Sequence, residues 1–317
     1  MKRKIVISLF LILTFAVAAF AQEVNESSIP ENAKKLLNDL RKEIEKKGLT
    51  FDVGYNSAME YTIPQLCGLK ETTDWWEKAK SKNVRAMKPQ GVRTLEAEVG
   101  LPQKWDWREQ NGVTVVKDQM SCGSCWAFGA CASFESHLLI RQNVTADLSE
   151  QFLVSCNPWG YGCNGGWWPH DMFVEDGAVL ETEFPYVASD VACGGPYQYP
   201  YAISGWAYVD GEDQVAGTTK LKEAIYNYGP VCAAVYVGSA FQAYTGGVFN
   251  KDEAPKKSWL DCGEKPKVNH AITIVGWDDT KDAWIIKNSW SAGWGDNGYM
   301  TIKYGVSNIG FAAAILY

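Results

Sequence analysis

The chain has 317 residues, 46% of them hydrophobic and 21% charged, the composition of an ordinary globular protein with enough apolar material for a sizeable core. Its formal net charge is −7, with the acidic excess beyond residue 100. That balance excludes a basic nucleic-acid-binding surface and defines no substrate.

Lys2, Arg3 and Lys4 precede an apolar run from Ile5 to Phe20, and Ala19-Phe20-Ala21 fits a small-x-small cleavage site. Residues 1–21 therefore read as a signal peptide, too short in its apolar part for a full membrane span. No later apolar stretch is long enough to cross a bilayer. The expected product is exported and has no membrane partner after cleavage, in an extracellular, periplasmic or lysosome-like compartment where disulfides form.

Residues 22–100 differ in texture from residues 101–317. Asn32 to Lys47 is predicted to be an amphipathic helix with Leu36, Leu37, Leu40 and Ile44 on one stripe. A second short helix is predicted at Asp74–Lys82, then a breaker cluster at Lys88-Pro89-Gln90-Gly91. The boundary falls near Gly100-Leu101-Pro102. Beyond it, Cys122 to Ile140 and Leu148 to Val154 read as helices. Residues 155–220 are rich in Gly, Pro, Asn and Asp and read as loops. Val231–Val237, Ala271–Trp277, Trp284–Lys287 and Tyr299–Ile302 read as strands. Helices first and strands second point to an α+β fold with two lobes.

The chemistry centres on Cys122-Gly123-Ser124-Cys125. A cysteine is nucleophilic as thiolate, and a helix N-terminus, where Cys125 is read to sit, favours that charge. It needs a base. Of the three histidines, His137 lies more than three turns along the same helix, His170 follows Trp167-Trp168-Pro169 in a loop, and His270 opens a strand. Asn288, just past the next strand, would stand beside His270 if the two strands are antiparallel neighbours. It could orient the ring, with Trp290 shielding that contact from water. Cys122 and Cys125 also have the spacing of a zinc or redox pair. There is no second such pair, no histidine cluster and no βαβ context to support either, so no metal and no cofactor is expected. His137 and His170 are expected to be plain surface or loop residues.

The segment Gln119…Cys125-Trp126 resembles the nucleophile segment of the papain and cathepsin family. Gly162-Cys163-Asn164-Gly165-Gly166, Asn269-His270-Ala271 and Asn288-Ser289-Trp290 with Gly293-Trp294-Gly295 resemble three further blocks of that family, in order, over about residue 101 to 317. The Cys-to-His separation, 145 residues, lies within the family range of roughly 130–150.

The resemblance implies a papain-like α+β fold. A helical N-terminal lobe and a β-barrel-like C-terminal lobe would flank an active-site cleft. It implies a monomeric cysteine endopeptidase acting on proteins or peptides. Cys125 would attack the peptide carbonyl, with His270 as proton carrier and Asn288 as its orienter. Gln119 would donate to the oxyanion. Gly165, Gly166, Trp167, Trp168, Ala234, Val268, Ala271 and Trp290, with Ala314 at its base, would line the substrate site. No lining residue is charged, so a hydrophobic P2 residue is expected, and Trp168 stands where the family has proline. The family pairs Cys122 with Cys163 and Cys156 with Cys193. Its third bridge lacks one position here, and Cys232 is the expected partner of Cys262. Cys131 is left as a small buried thiol.

The resemblance also makes residues 22–100 an inhibitory propeptide running backwards through the cleft, with short motifs nearer the cathepsin B type than the cathepsin L type. Cathepsin B's occluding loop, with its paired histidines, has no counterpart between Gly177 and Gly205. That leaves residues 101–317 as the peptidase domain. The competing readings are a catalytically silent binding homologue and a disulfide oxidoreductase.

Overall fold

The computed structural model describes residues 28–70, 100–256 and 267–317. The expected signal segment, the helix at Asp74–Lys82 and Cys262 lie outside the described residues.

Helix α1 spans Glu31–Lys47 and buries Ala33, Leu37 and Leu40, as its stripe predicts. Gly48 ends it in the left-handed conformation, φ 60°, which glycine adopts without a Cβ penalty. Strand β1 (Phe51–Val53) follows, then a 3₁₀ turn at Ser57–Glu60 and the short helix α2 (Ile63–Leu66). Beyond the boundary come β2 (Lys104–Asp106), α3 (Cys125–Gln142), α4 (Glu150–Cys156), α5 (His170–Glu175) and β3 (Trp206–Tyr208). Next are α6 (Thr218–Tyr228), β4 (Val231–Val235), α7 (Ser239–Gln242) and β5 (Tyr244–Phe249). The chain closes with β6 (His270–Asp278), β7 (Ala283–Lys287), β8 (Tyr299–Lys303) and β9 (Phe311–Leu316).

The strands form one sheet in the order β1-β5-β8-β7-β6-β4-β9-β3, with β2 added on β6. Only β5 and β8 run parallel. The barrel-like expectation is corrected here: β1 and β3 end the path without pairing with each other, so the sheet stays open. Its N-terminal edge is the leader strand β1, with Phe51 packed on Phe249 at 4.6 Å.

Helix α3 is apolar on nearly every side and is correspondingly buried. Gly129 lets it approach the sheet: a Cβ there would stand 3.0 Å from Cys232 Sγ and 3.5 Å from Ala271 Cβ. Two apolar cores result. One joins α1 and β1 to the central sheet, and the other surrounds α3 and α4. A buried polar seam lies between them. Lys117 pairs with Glu135 at 2.7 Å, Asp147 at 2.6 Å and Glu150 at 3.0 Å, and Lys287 of β7 donates to Thr114 at 3.1 Å. Burial opposes the Lys117 charge, but the Glu150 and Glu135 carboxylates outweigh it and raise its pKa.

Three expectations are corrected. The stretch 155–220 holds α5 and β3 as well as loops. His170 is no loop-surface residue: it is fully buried as the first residue of α5, walled by Trp168, Phe173 and Trp206. His137 is also largely enclosed, and burial lowers its pKa to about 4.

Candidate active site

Cys125 is the first residue of α3 and has no exposed surface. The N-cap residue Ser124 makes no side-chain capping bond; its hydroxyl pairs with Tyr186 Oη at 2.6 Å instead. Ala127 N–H is taken by Ser124 O at 2.8 Å, so the N–H groups of Cys125 and Trp126 are the first-turn donors that remain for the cleft. The preceding turn is fixed by the Cys122–Cys163 disulfide and by Gly123 N–H donating to Cys163 O at 2.9 Å.

His270 begins β6, and β6 pairs antiparallel with β7. That pairing carries Asn288, just beyond β7, to His270: Nε2 lies 2.8 Å from Asn288 Oδ1. The same oxygen accepts the Ser289 N–H at 2.9 Å. An atom that accepts from a backbone N–H is the amide oxygen, so His270 must donate, and its tautomer is Nε2–H. Nδ1 then carries the lone pair and has no hydrogen-bond partner among the described residues. The Trp290 ring packs 4.7 Å from the imidazole, and both side chains are buried. The N–H of Ala271, next to His270, lies against the Cys125 sulfur.

Gln119 is locked by three bonds. Ser289 Oγ donates to its Oε1 at 2.7 Å, and its Nε2 donates to Cys122 O at 2.8 Å and to Leu66 O at 2.9 Å. The last acceptor belongs to the leader. Gly68 O accepts from Gly166 N–H at 2.9 Å, Leu69 N–H donates to Asn269 O at 3.0 Å, and Lys70 N–H donates to Gly166 O at 3.1 Å. Gly68 is obligatory there, since a Cβ on it would sit 1.7 Å from Gly123 O. Gly165, at φ 115°, makes the matching close approach. Leu69 is buried in one apolar cluster with Trp167, Trp168, Ala234, Val268, Ala271 and Ala314. Trp168 is fixed by its indole N–H donating to Ala312 O at 3.0 Å and stacks on Trp167 at 4.9 Å.

This covering sets the electrostatics. Burial raises the Cys125 thiol to about 11 against the pull of four backbone N–H groups, those of Ala271, Gly68, Trp126 and Leu69. Burial lowers His270 to about 4, opposed by the Asn288 bond. Between those values the pair holds its proton on sulfur and stays neutral. Removing the leader admits water and reverses both desolvation effects.

Cys156 is bridged to Cys193. Cys232 carries a free thiol among the described residues, and Cys262, its expected partner, lies outside them. The Cys232 side chain is turned into the α3–sheet contact against Gly129 and is fully buried there. Sequence reasoning missed Ser289 as the lock on Gln119, although it lies inside the Asn-Ser-Trp block. It also missed Tyr186, whose hydroxyl donates to Gln119 O at 2.9 Å from a loop with no periodic signal.

The profile described as papain family cysteine protease matches residues 101–317. Papain of Carica papaya is 37% identical over 217 residues, which cover 67% of this chain and 58% of papain's. Digestive cysteine proteinase 3 of Homarus americanus is 32% identical over 291 residues, 89% of this chain and 84% of its own. The viral cathepsin of Heliothis zea nuclear polyhedrosis virus is matched over 55% of its length, so the chain spans a little over half of several such relatives. The digestive procathepsin L2 proteinase of Tenebrio molitor larval midgut superposes with a TM-score of 0.73 at 28% identity, covering 91% of this chain and 94% of that one. That proform is of cathepsin L type, whereas the leader's short motifs resemble cathepsin B. The chain belongs to the papain family of cysteine proteases.

Proposed function

We propose that the chain is the zymogen of a secreted, monomeric cysteine endopeptidase with Cys125, His270 and Asn288 as its working groups. One observation carries this: His270 gives its Nε2–H to Asn288 and keeps Nδ1 free, beside a cysteine that opens a helix. Once the cleft is open, Nδ1 takes the thiol proton and the sulfur attacks the scissile carbonyl. The oxyanion is met by the Cys125 N–H and by Gln119 Nε2, the donor that Leu66 O occupies in the zymogen. The imidazolium then protonates the leaving amine, a thioester remains, and water activated by the same ring releases the second product.

Leader residues 51–70 act as the intramolecular inhibitor. Leu69 supports a hydrophobic P2 preference, because it is buried in one apolar cluster with Trp167, Trp168 and Ala271, the residues expected to line that subsite. Export is supported by the signal segment and by two disulfides.

The test is active-site titration with an epoxysuccinyl-type inhibitor in reducing buffer. Labelling of Cys125 only after acid treatment and loss of the leader is the expected result. Absence of labelling in the separated 101–317 domain would overturn the reading.

A further inference from the structure

Cys67 is not used by the mechanism above, yet it is the leader residue best placed to meet the nucleophile. The chain is pinned on both sides of it. Leu66 O is held by Gln119, Gly68 O by Gly166 N–H, and Leu69 N–H by Asn269 O. The Gly68 N–H acts as a donor toward the Cys125 sulfur, and the Cα of Cys67 is one peptide unit from that nitrogen. Both thiols are free in the structure, as are those of Cys131 and Cys232, while Cys122, Cys163, Cys156 and Cys193 form two bridges.

From this placement we infer that Cys67 is a modification site: it forms a disulfide with Cys125 that locks the leader covalently onto the cleft. The functional consequence rests on Cys125 being the nucleophile, as proposed above.

Three physical points bear on the pair. Bridged cysteines keep their Cα atoms roughly 4.4–6.8 Å apart, and the bonds at Leu66, Gly68 and Leu69 hold Cys67 beside the turn that leads into Cys125. The rival partner Cys232 lies in β4 with its sulfur wedged against Gly129, so a bridge to it would need a rigid strand and a rigid helix to shift. Burial raises the Cys67 thiol well above its ordinary value, and a negative Cys125 raises it further, as it also does for Cys232.

The reaction is thiol–disulfide exchange with an oxidised dithiol oxidoreductase or small disulfide of the exporting compartment, the class of oxidant that also closes Cys122–Cys163. One thiolate attacks the oxidant's disulfide. The second displaces the oxidant's sulfur, forming Cys67–Cys125. Two electrons pass to the oxidant, which takes up the two thiol protons. Because burial suppresses both thiolates, exchange occurs as the segment seats, and the same burial then shields the bond. Release requires a thiol reductant before acid can free the leader.

The test uses the full chain secreted into an oxidising compartment, alkylated without reductant and digested. The expected product is a peptide pair joining Cys67 to Cys125, two hydrogens lighter than its reduced parts. Recovery of both cysteines alkylated, or of Cys125 joined to Cys232, overturns the proposal. In parallel, acidified wild-type and Cys67→Ser zymogens are titrated with the epoxysuccinyl probe. Dithiothreitol should raise wild-type labelling roughly tenfold or more and leave C67S nearly unchanged. Equal dependence in both overturns the latch. The reduced 101–317 domain separates the two readings: if it labels while the cross-link is absent, the protease stands and the latch falls. If the cross-link maps while that domain stays unlabelled, the latch stands and the nucleophile reading falls.

Discussion

His270 Nε2 and Asn288 Oδ1 meet at 2.8 Å, and the Ser289 N–H on the same oxygen decides which partner donates. Asn288 therefore fixes both the ring's plane and its tautomer. Asn288→Ala should lower kcat by roughly 10²-fold, within the range for losing positioned acid–base chemistry, with KM little changed. Steady-state kinetics of the activated enzyme checks this; a large KM rise at constant kcat would contradict it.

Gln119 has its donor aimed by Ser289 and its target filled by the leader. In the activated enzyme Gln119→Ala should cost about 10²–10³ in kcat, the usual loss of one oxyanion donor. Ser289→Ala should cost less, since the bond to Cys122 O still orients the amide.

Leu69 is buried in one apolar cluster with Trp167, Trp168 and Ala271, and Trp168 cannot swing away without losing Ala312 O. Peptides with Leu or Phe at P2 should be cleaved at least about tenfold faster in kcat/KM than those with Arg, since burying an unpaired charge costs more than about 1.4 kcal/mol. Comparable turnover of Arg-Arg and Phe-Arg substrates would falsify the assignment.

Gly68 passes too close to Gly123 for any side chain. Gly68→Ala should dislodge the inhibitory segment, so that the reduced zymogen labels with the active-site probe at neutral pH. An unlabelled variant would place the inhibitory grip elsewhere, for instance on α1.

His170 is buried, and neither ring nitrogen has a hydrogen-bond partner among the described residues; burial lowers its pKa to about 3 from 6.5. Between those values the unfolded chain binds the extra proton, so stability falls as pH drops below 6.5 and is regained on raising it. At pH 5 the loss is roughly 2 kcal/mol from this group. His270, lowered to about 4, works in the same direction. His170→Phe in a Cys125→Ala background should therefore raise Tm more at pH 5 than at pH 8. Equal shifts at both values would refute the linkage.

How much of this was legible in the sequence depended on whether a local signal existed. Leu37 and Leu40 repeat at helical spacing, and β7 is a compact apolar run, so both elements could be read. Strand β9 could not. Ala312, Ala313 and Ala314 have weak strand preference and are buried on both faces, so nothing alternates; pairing with β3 and β4 imposes the strand. The residues proposed as nucleophile, base and orienter were legible as candidates from motifs and order. Ser289's grip on Gln119 was not, because it joins residues 170 apart in the chain. Nor was the burial of His170, which is made in part by Trp206 arriving on strand β3.

Strand β1 contributes one more thing besides holding the leader in place. It is the only described neighbour on one side of β5, whose other side is taken by β8. When the leader leaves, Tyr244–Phe249 becomes a bare rim of backbone donors and acceptors, the kind of surface that recruits a stranger's strand. The 101–317 domain thus carries a sticky seam that its own precursor keeps zipped. If residues 22–100 are removed as proposed, activation also leaves an edge open to further strand pairing.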